Sequence, residues 1–352
     1  MSLTLSPASL AAAASNVVGK LQGGLADLRP MPRALIDQGP NRSVYRMSPA
    51  SGPSRPSGPP VLLVPPLAAP ALCFDLRRGC SLTEHLVTGG RPTYLVDYGS
   101  VAFSDRRLGV EHWIDHVLPY AIRKVSEDSG GQPVRLVAWC LGGLFSLLTT
   151  ADQPDLPVES IVTIASPVDF TAIPLVAPIR PLIEATGGYL LTPIYRFFGS
   201  APAYLVEQVF RATGIHKEIT KPLAILRNLD DRDFLSQIEA VDHFMDQMAA
   251  YPGRTFGQLY HRFFRTNDLA EGSVDLGGRV ISLSNVKVPT LIIAGESDNI
   301  APLPAVERLV ELLENAPSVR FESAPGGHLG VLTGRRARST TWRYVDDFLD
   351  GS

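Results

Sequence analysis

The sequence predicts an α/β fold with a mostly parallel central sheet, helices on both faces and an inserted helical cap. Short, continuously apolar runs predict the strands, because strands of a parallel sheet are buried on both faces. Helical patterns separate these runs, an alternation that is typical of parallel sheets. The expected strands are 61–64, 92–99, 134–138, 161–165, 289–295 and 319–323.

Three parts are expected in this chain of 352 residues, which is long enough for one large α/β domain with an insertion. Residues 1–58 predict an amphipathic helix followed by a connector rich in Pro, Ser and Gly. Residues 59–170 and 279–352 predict the α/β core. Residues 171–278 contain many aromatic residues and no clear strand, and one crossover needs far fewer residues, so they predict a helical cap.

The cap is expected to cover the functional site, because the insertion leaves the sheet at the carboxyl ends of the strands, where ligands bind. A second structural domain without a role in chemistry is the alternative. Within the core, a helix is expected over 110–124, with a kink at Pro119.

Composition excludes several classes of function. The 32 Lys and Arg residues nearly balance 35 Asp and Glu, for a net charge of −3, which argues against a nucleic-acid partner. The three cysteines have no metal-ligand spacing, so we expect free thiols and no metal site. No apolar run reaches the roughly 20 residues of a transmembrane helix, and no basic region introduces a signal peptide. A cytoplasmic protein is expected.

The segment 136–144, with the sequence Leu-Val-Ala-Trp-Cys-Leu-Gly-Gly-Leu, predicts a nucleophile elbow. This strand, sharp turn and helix needs small residues on either side of the nucleophile, and Ala138 and Gly142 stand there. The turn places Cys140 at a helix N-terminus, where the helix dipole favours a thiolate. We therefore predict that Cys140 is the nucleophile and that the backbone N–H of Leu141 donates to an oxyanion.

A second oxyanion donor is expected in the loop after the first core strand, residues 65–70, hereafter the oxyanion loop. Leu67 or Ala68 can supply the N–H, whereas the prolines of this loop cannot. A tight turn without a function is the alternative for this loop.

The base and its orienting acid are predicted at the ends of the last two strands. Asp298 follows 289–295, and His328 follows 319–323 in the sequence Pro-Gly-Gly-His-Leu-Gly. The chain order Cys140, Asp298, His328 is the nucleophile, acid and base order of α/β-hydrolases. Other candidates for these two roles are His85, His112, His116, His216, His243, His261, Asp97, Asp169 and Asp268.

These residues resemble the polyhydroxyalkanoate synthases of the α/β-hydrolase superfamily, particularly the short form that works with a second subunit. The similarity extends from about Arg42 to the C-terminus. Its motifs are 62–67, 74–77, 94–99, the Cys140 elbow, 165–170, 260–267, 272–285, 298–302 and 326–330.

The resemblance implies an acyltransferase that takes a hydroxyacyl group from coenzyme A as a thioester of Cys140. His328 would deprotonate Cys140, and Asp298 would orient His328 or assist deprotonation of an incoming hydroxyl. Acyl-CoA would be a substrate, with no cofactor. The implied partners are a second synthase subunit or a second copy of the chain, and a lipid or polymer surface, which would place the cytoplasmic protein at inclusions.

Two departures leave the acceptor open. Ala138 stands where the family has glycine, and Asn299 stands where the family usually has histidine. The alternative function is therefore a lipase, esterase or thioesterase with the same three residues, acting on acyl esters or acyl-CoA. A non-catalytic subunit that retains the fold is a third hypothesis.

Overall fold

A computed structural model describes residues 6–51, 56–174, 200–201, 204, 208 and 215–351. Its strands, in chain order, are β1 (Arg33–Gly39), β2 (Arg42–Met47), β3 (Val61–Val64), β4 (Thr93–Asp97), β5 (Val134–Trp139), β6 (Val158–Ile164), β7 (Ser200–Ala201), β8 (Tyr251–Pro252), β9 (Ser273–Leu276), β10 (Arg279–Ser282), β11 (Thr290–Gly295) and β12 (Val319–Ala324).

The α-helices within these described ranges are numbered in the same way. They are α1 (Pro7–Leu21), α2 (Leu82–Thr88), α3 (Val110–His112), α4 (Leu118–Asp128), α5 (Leu141–Asp152), α6 (Ile215–Arg227), α7 (Arg232–Met245), α8 (Gly253–Gln258), α9 (Leu303–Glu307), α10 (Leu309–Leu312), α11 (Gly330–Thr333) and α12 (Thr341–Gly351).

The central sheet has the strand order β1-β2-β4-β3-β5-β6-β11-β12. β2 pairs antiparallel with β1 and with β4, and every other neighbouring pair is parallel. The central strands β3, β5 and β11 are buried along their whole length. Because β3, β5, β6, β11 and β12 run the same way, the loops that follow them meet at one edge of the sheet.

Helices cover this sheet and complete the core. In α5, residues 141–151 are all buried, so the helix is enclosed on every side. Trp113 stacks against Phe145 of α5 at a centroid distance of 6.4 Å, while α4 directs Ile122 and Val125 inward. These apolar contacts pack α5 against the rest of the core.

Each of the six expected strands is present, with ends that differ by up to three residues from the expectation. The hairpin of β1 and β2 is not expected from the sequence, because β1 is an edge strand with mostly exposed side chains and its apolar run is only three residues long, Ala34–Ile36. The expected helix over 110–124 is interrupted by a π-helical turn at Trp113–Val117. Pro119 lies in the first turn of α4, directly after this π-helical turn, where the Ile114 carbonyl accepts from the side chains of Thr149 and Gln153.

The predicted amphipathic helix of the N-terminal part is α1, whose cap residue Ser6 accepts a hydrogen bond from the Ser9 N–H. The Asn16 amide of α1 donates to the Leu229 carbonyl at 2.8 Å, in the turn that joins α6 to α7. The N-terminal part therefore packs on the predicted cap.

The described residues of 171–278 form α6, α7 and α8, the β7–β8 pair and strand β9. Residues 175–199, 202–203, 205–207 and 209–214 of the predicted cap lie outside the described residues, as do 52–55 of the predicted connector. The boundaries of the three parts remain a prediction.

Among the described residues, no helix combines the length and apolar character needed to cross a bilayer. The same residues contain no cluster of three or more His, Cys, Asp or Glu side chains suited to holding a metal ion.

Candidate active site

Cys140 stands between β5 and α5 with φ 53° and ψ −124°, a conformation that side chains other than glycine seldom adopt. Such a backbone costs about 1–3 kcal/mol, and the surrounding structure holds it in place. The Cys140 N–H donates to the Ile164 carbonyl of β6 at 2.9 Å, which ties the turn to the neighbouring strand. The thiol is partly exposed at the edge of the sheet.

Gly142 and Ala138, the two residues that flank the elbow, are small for different structural reasons. A side chain at Gly142 would clash with the backbone of Val64 and Pro65, where β3 passes into the oxyanion loop. Ala138 is fully buried in β5 and pairs with Val64 and Thr163 of the flanking strands. Gly142 is therefore required, whereas the methyl group of Ala138 fits.

Asp298 and His328 meet at the same edge of the sheet. His328 Nδ1 lies 2.8 Å from Asp298 Oδ2, and the exposed fractions of the two residues are only 8% and 4%. The other oxygen of Asp298 accepts the N–H groups of Ile300 and Ala301 at 2.8 and 2.9 Å. Every oxygen of this buried carboxylate is thus paired, which fixes its orientation.

The electrostatics of the pair favour the charged forms. Burial alone raises the pKa of Asp298, but the charge of His328 and the hydrogen bonds from His328, Ala301 and Ile300 outweigh it, so the pKa is lowered. Burial alone lowers the pKa of His328, yet Asp298 and Cys140, through charge and hydrogen bonds, raise it to about 10. Because Nδ1 of His328 is engaged by Asp298, Nε2 is the nitrogen left to interact with Cys140.

The two expected oxyanion elements follow the neighbouring parallel strands β5 and β3. Leu141 is the first residue of α5, and the first N–H groups of a helix have no intrahelical acceptor. Ala68 adopts a left-handed conformation with φ 68°, which bends the oxyanion loop sharply after β3. Leu67 and Ala68 are both buried. Whether Leu67 or Ala68 donates remains a prediction.

A family model described as the alpha/beta hydrolase fold matches residues 59–335. The chain belongs to this family. The match supports the expected fold class, and two solved structures agree with it at the level of the fold alone. Mouse alpha/beta hydrolase domain-containing protein 10 has a TM-score of 0.52 and 12% identity, covering 91% of this chain and 99% of its own. A lipase-esterase related protein from Clostridium acetobutylicum has a TM-score of 0.50 and 13% identity, covering 87% and 98%.

Curated relatives of this α/β hydrolase carry the name poly(3-hydroxyalkanoate) polymerase subunit PhaC. The relative from Allochromatium vinosum is 26% identical over 313 residues, 87% of this chain and 85% of that protein. The relative from Synechocystis is 26% identical over 310 residues, 85% and 79% of the two chains. For Haloferax mediterranei the figures are 23% over 293 residues, 82% and 58%. The chain is thus a PhaC-like enzyme, as its sequence motifs predicted.

Most other candidates for base and acid in this α/β hydrolase have described contacts with residues other than Cys140, Asp298 and His328, although His243 and Asp97 border the groove beside the oxyanion loop. His85 pairs with Asp346 at 2.7 Å, His243 lies against Gln247, and His112 lies beside His116 with a ring separation of 6.0 Å. Four further candidates also have described partners. His261 packs against Tyr260, and Asp97 accepts from the Gly99 N–H. Asp268 accepts from Arg262, and Asp169 accepts from Thr171 and Asn267. The side chain of His216 lies outside the described residues.

The cap reaches the site at two points that sequence reasoning missed. The Ala249 N–H donates to the Ala68 carbonyl at 2.8 Å, so a cap segment pairs with the oxyanion loop. Phe244 of α7 packs on Trp139 with a ring separation of 6.2 Å. Beside the oxyanion loop, cap residues 247–250 also border a groove of about 650 Å³. No local signal marks these contacts, because their partners lie more than a hundred residues apart in sequence.

Asn299, the departure beside the acid, has an exposed side chain next to the buried Asp298. The position is therefore open to solvent at the rim of the site, and it does not contribute a titratable group.

Proposed function

We propose that the chain is a cysteine-dependent acyltransferase that takes hydroxyacyl groups from acyl-CoA through a thioester of Cys140. One observation carries the proposal: a buried Asp298–His328 pair interacts with a thiol held at an elbow. A relative named as a poly(3-hydroxyalkanoate) polymerase subunit aligns with 87% of this chain, and this supports the substrate class.

In the first half-reaction, His328 takes the thiol proton and Cys140 Sγ attacks the thioester carbonyl carbon. The electron pair of the carbonyl moves onto its oxygen, where the N–H of Leu141 and that of Ala68 or Leu67 stabilise it. The pair then returns, the bond to the coenzyme A sulfur breaks, and His328 gives that sulfur its proton. One thioester replaces another, so little bond energy changes.

In the second half-reaction, the hydroxyl of a hydroxyacyl acceptor attacks the acyl-Cys140 carbonyl while His328 removes its proton. The new ester forms as the bond to Cys140 Sγ breaks, and the proton returns to the thiol. Asp298 orients the imidazole of His328 in both half-reactions, because the second carboxylate oxygen of Asp298 is fixed by the backbone of Ile300 and Ala301.

Hydrolysis is the second candidate function and differs only in the acceptor, which would be water. The exposed Asn299 favours it, since the synthases that this sequence resembles usually have a histidine at this position. The same acyl-Cys140 intermediate would then yield a free acid.

The test is to incubate the protein with 3-hydroxybutyryl-, 3-hydroxyhexanoyl- and palmitoyl-CoA and to measure intact mass, coenzyme A release and product. We expect one acyl adduct per chain, mapped to Cys140. Polymer or oligomer identifies the transferase, and free acid identifies the hydrolase. The absence of both adduct and coenzyme A release, with possible partner subunits supplied, would contradict both functions.

Matched variants assign the chemistry to the thiol. Cys140→Ala is expected to lose the adduct and the release, while Cys80→Ala keeps both because Cys80 is buried and its thiol donates to the Thr333 carbonyl. Cys140→Ser keeps the fold, and full activity in that variant would rule out a thiol-specific mechanism.

A further inference from the structure

Trp139 makes two contacts with His328, although Trp139 takes no part in the proposed reaction. Its indole Nε1–H donates to the His328 backbone carbonyl at 3.1 Å. Its ring packs on the imidazole at a centroid distance of 5.0 Å with 40° between the planes. Trp139 is 1% exposed and precedes Cys140 directly in the chain, so one rigid side chain joins the nucleophile strand to the base.

The loop that carries His328 needs such support. Gly326 and Gly327 precede His328, and glycine leaves the backbone more freedom than any other residue. The Ser297 N–H donates to the Gly326 carbonyl at 3.0 Å, and the Val331 N–H donates to the Gly327 carbonyl at 2.8 Å. Trp139 supplies the corresponding bond at His328 itself, while Asp298 holds the imidazole edge.

Tryptophan suits this combination of contacts, because it joins one N–H donor to a large apolar ring. A buried indole N–H needs a partner and finds one in the His328 carbonyl, while the large ring covers one side of the imidazole. On another side of the same ring lies Phe244 of α7, at 6.2 Å and 62°. The indole thus contacts both the base and the cap helix.

We propose that Trp139 is a positioning residue that holds the His328 imidazole in the orientation in which Nε2 faces Cys140. This role rests on the proposed function, in which His328 acts on Cys140. It assigns no contact with substrate to Trp139. Its packing on Phe244 makes the orientation of the base sensitive to the seating of α7.

The direct test compares Trp139→Phe with Trp113→Phe. Both tryptophans are fully buried, and both variants keep an aromatic ring. Trp139→Phe loses the bond to His328, whereas the Trp113 Nε1 has no hydrogen-bond partner among the described residues, so Trp113→Phe loses none. We expect Trp139→Phe to lower kcat with acyl-CoA by about 10- to 100-fold, as for a misplaced catalytic group, with KM little changed. Trp113→Phe should keep the kcat of the wild type.

A second readout separates this inference from the proposed function. The rate at which iodoacetamide alkylates Cys140 needs no acyl substrate, and we expect it to fall in Trp139→Phe and in His328→Gln but not in Trp113→Phe. If the wild type does not turn over acyl-CoA while alkylation still depends on Trp139, the proposed function fails and the inference stands. If Trp139→Phe keeps both the kcat and the alkylation rate of the wild type, the inference is wrong.

A replacement closer in shape to tryptophan separates the loss of the hydrogen bond from any failure of Trp139→Phe to fold. Incorporation of 3-benzothienylalanine at position 139 keeps the bicyclic shape and replaces the N–H by sulfur, so packing is preserved while the bond to His328 is lost. The same loss of kcat and of alkylation rate is expected in this protein. Normal rates for both would overturn the inference even if Trp139→Phe does not fold.

Discussion

At the scale of single residues, His328 is distinguished by a proton that it holds although it is buried. Asp298 lies at Nδ1 and Cys140 interacts from the other side, and Trp139 covers the ring. Burial works against the charge, but the two partners outweigh it and raise the pKa of His328 to about 10. A raised pKa in the folded state means that the proton contributes to stability.

This proton makes the stability of the folded protein depend on pH. Above the ordinary histidine pKa of about 6.5 the unfolded chain has released the proton, whereas the folded protein keeps it up to pH about 10. The contribution is therefore complete below pH about 6.5 and is lost as the pH rises through the folded value. We expect the difference in free energy of unfolding between wild type and His328→Gln to fall across this range, by at most about 1.4 kcal/mol per pH unit.

Urea unfolding at several pH values between 6 and 10 measures this difference. His85→Gln is the matched control, because His85 is half-exposed and pairs with Asp346 away from the site. A difference between wild type and His328→Gln that stays constant over the whole range would contradict a His328 proton stabilised by Asp298 and Cys140.

At the scale of elements, the sequence predicted those parts whose signal is local. The strands β3, β5 and β11 are apolar along their length because both faces are covered, and each was predicted. Cys140, Asp298 and His328 could be singled out because each follows a strand, and parallel strands bring their carboxyl ends to one edge. The exposed edge strand β1 carries no such signal, which is why it was missed.

The two chain segments that lead into and out of the predicted cap are joined by Asn267. Its amide donates to Asp169 Oδ1 at 2.9 Å, and its side-chain oxygen accepts the Phe170 N–H at 2.8 Å. Asn267 is left-handed with φ 57°, a conformation that asparagine tolerates better than most residues. Asp169 also accepts both the N–H and the hydroxyl of Thr171.

We therefore expect Asn267→Ala to destabilise the protein by about 1–3 kcal/mol, since it removes two hydrogen bonds and leaves a backbone N–H without its partner. Asn267→Gly loses the same bonds but suits the left-handed backbone, so it should be less destabilised. Thermal unfolding and limited proteolysis within 215–265 measure the effect. The control is Asn41→Gly in the turn between β1 and β2, where Asn41 is also left-handed; equal effects at both positions would contradict a role for Asn267 in holding the cap.

At the scale of the whole molecule, the N-terminal part and the cap support one another. Glu239 of α7 accepts the Leu25 N–H at 2.8 Å, the Ser236 hydroxyl of the same helix donates to the Leu25 carbonyl, and Asn16 of α1 donates to the Leu229 carbonyl. Residues 7–25 thus contact the cap at residues 229–239, whereas its bond with Ala68 is made at Ala249. These contacts join residues more than two hundred positions apart, so no pattern in the sequence could have predicted them.

Substitution of Glu239 tests this arrangement. Glu239→Ala removes a charge-assisted bond to the Leu25 N–H, and we expect proteases to cleave within residues 7–30 faster than in the wild type, with a loss of stability of about 1–3 kcal/mol. Glu307→Ala on α9 is the control, because its side chain is exposed. Unchanged cleavage in Glu239→Ala would show that α1 is held without this contact.

The backbone at Cys140 has a consequence for the history of the site. A φ of 53° is tolerated by few side chains, and a β-branched residue there is a genuine outlier. Among the residues with a nucleophilic hydroxyl or thiol, cysteine and serine carry a single heavy atom on Cβ, whereas threonine carries two. Related proteins with this turn could replace the Cys140 thiol by a serine hydroxyl through one substitution. Threonine is excluded at this position by the backbone conformation, whatever its chemical reactivity.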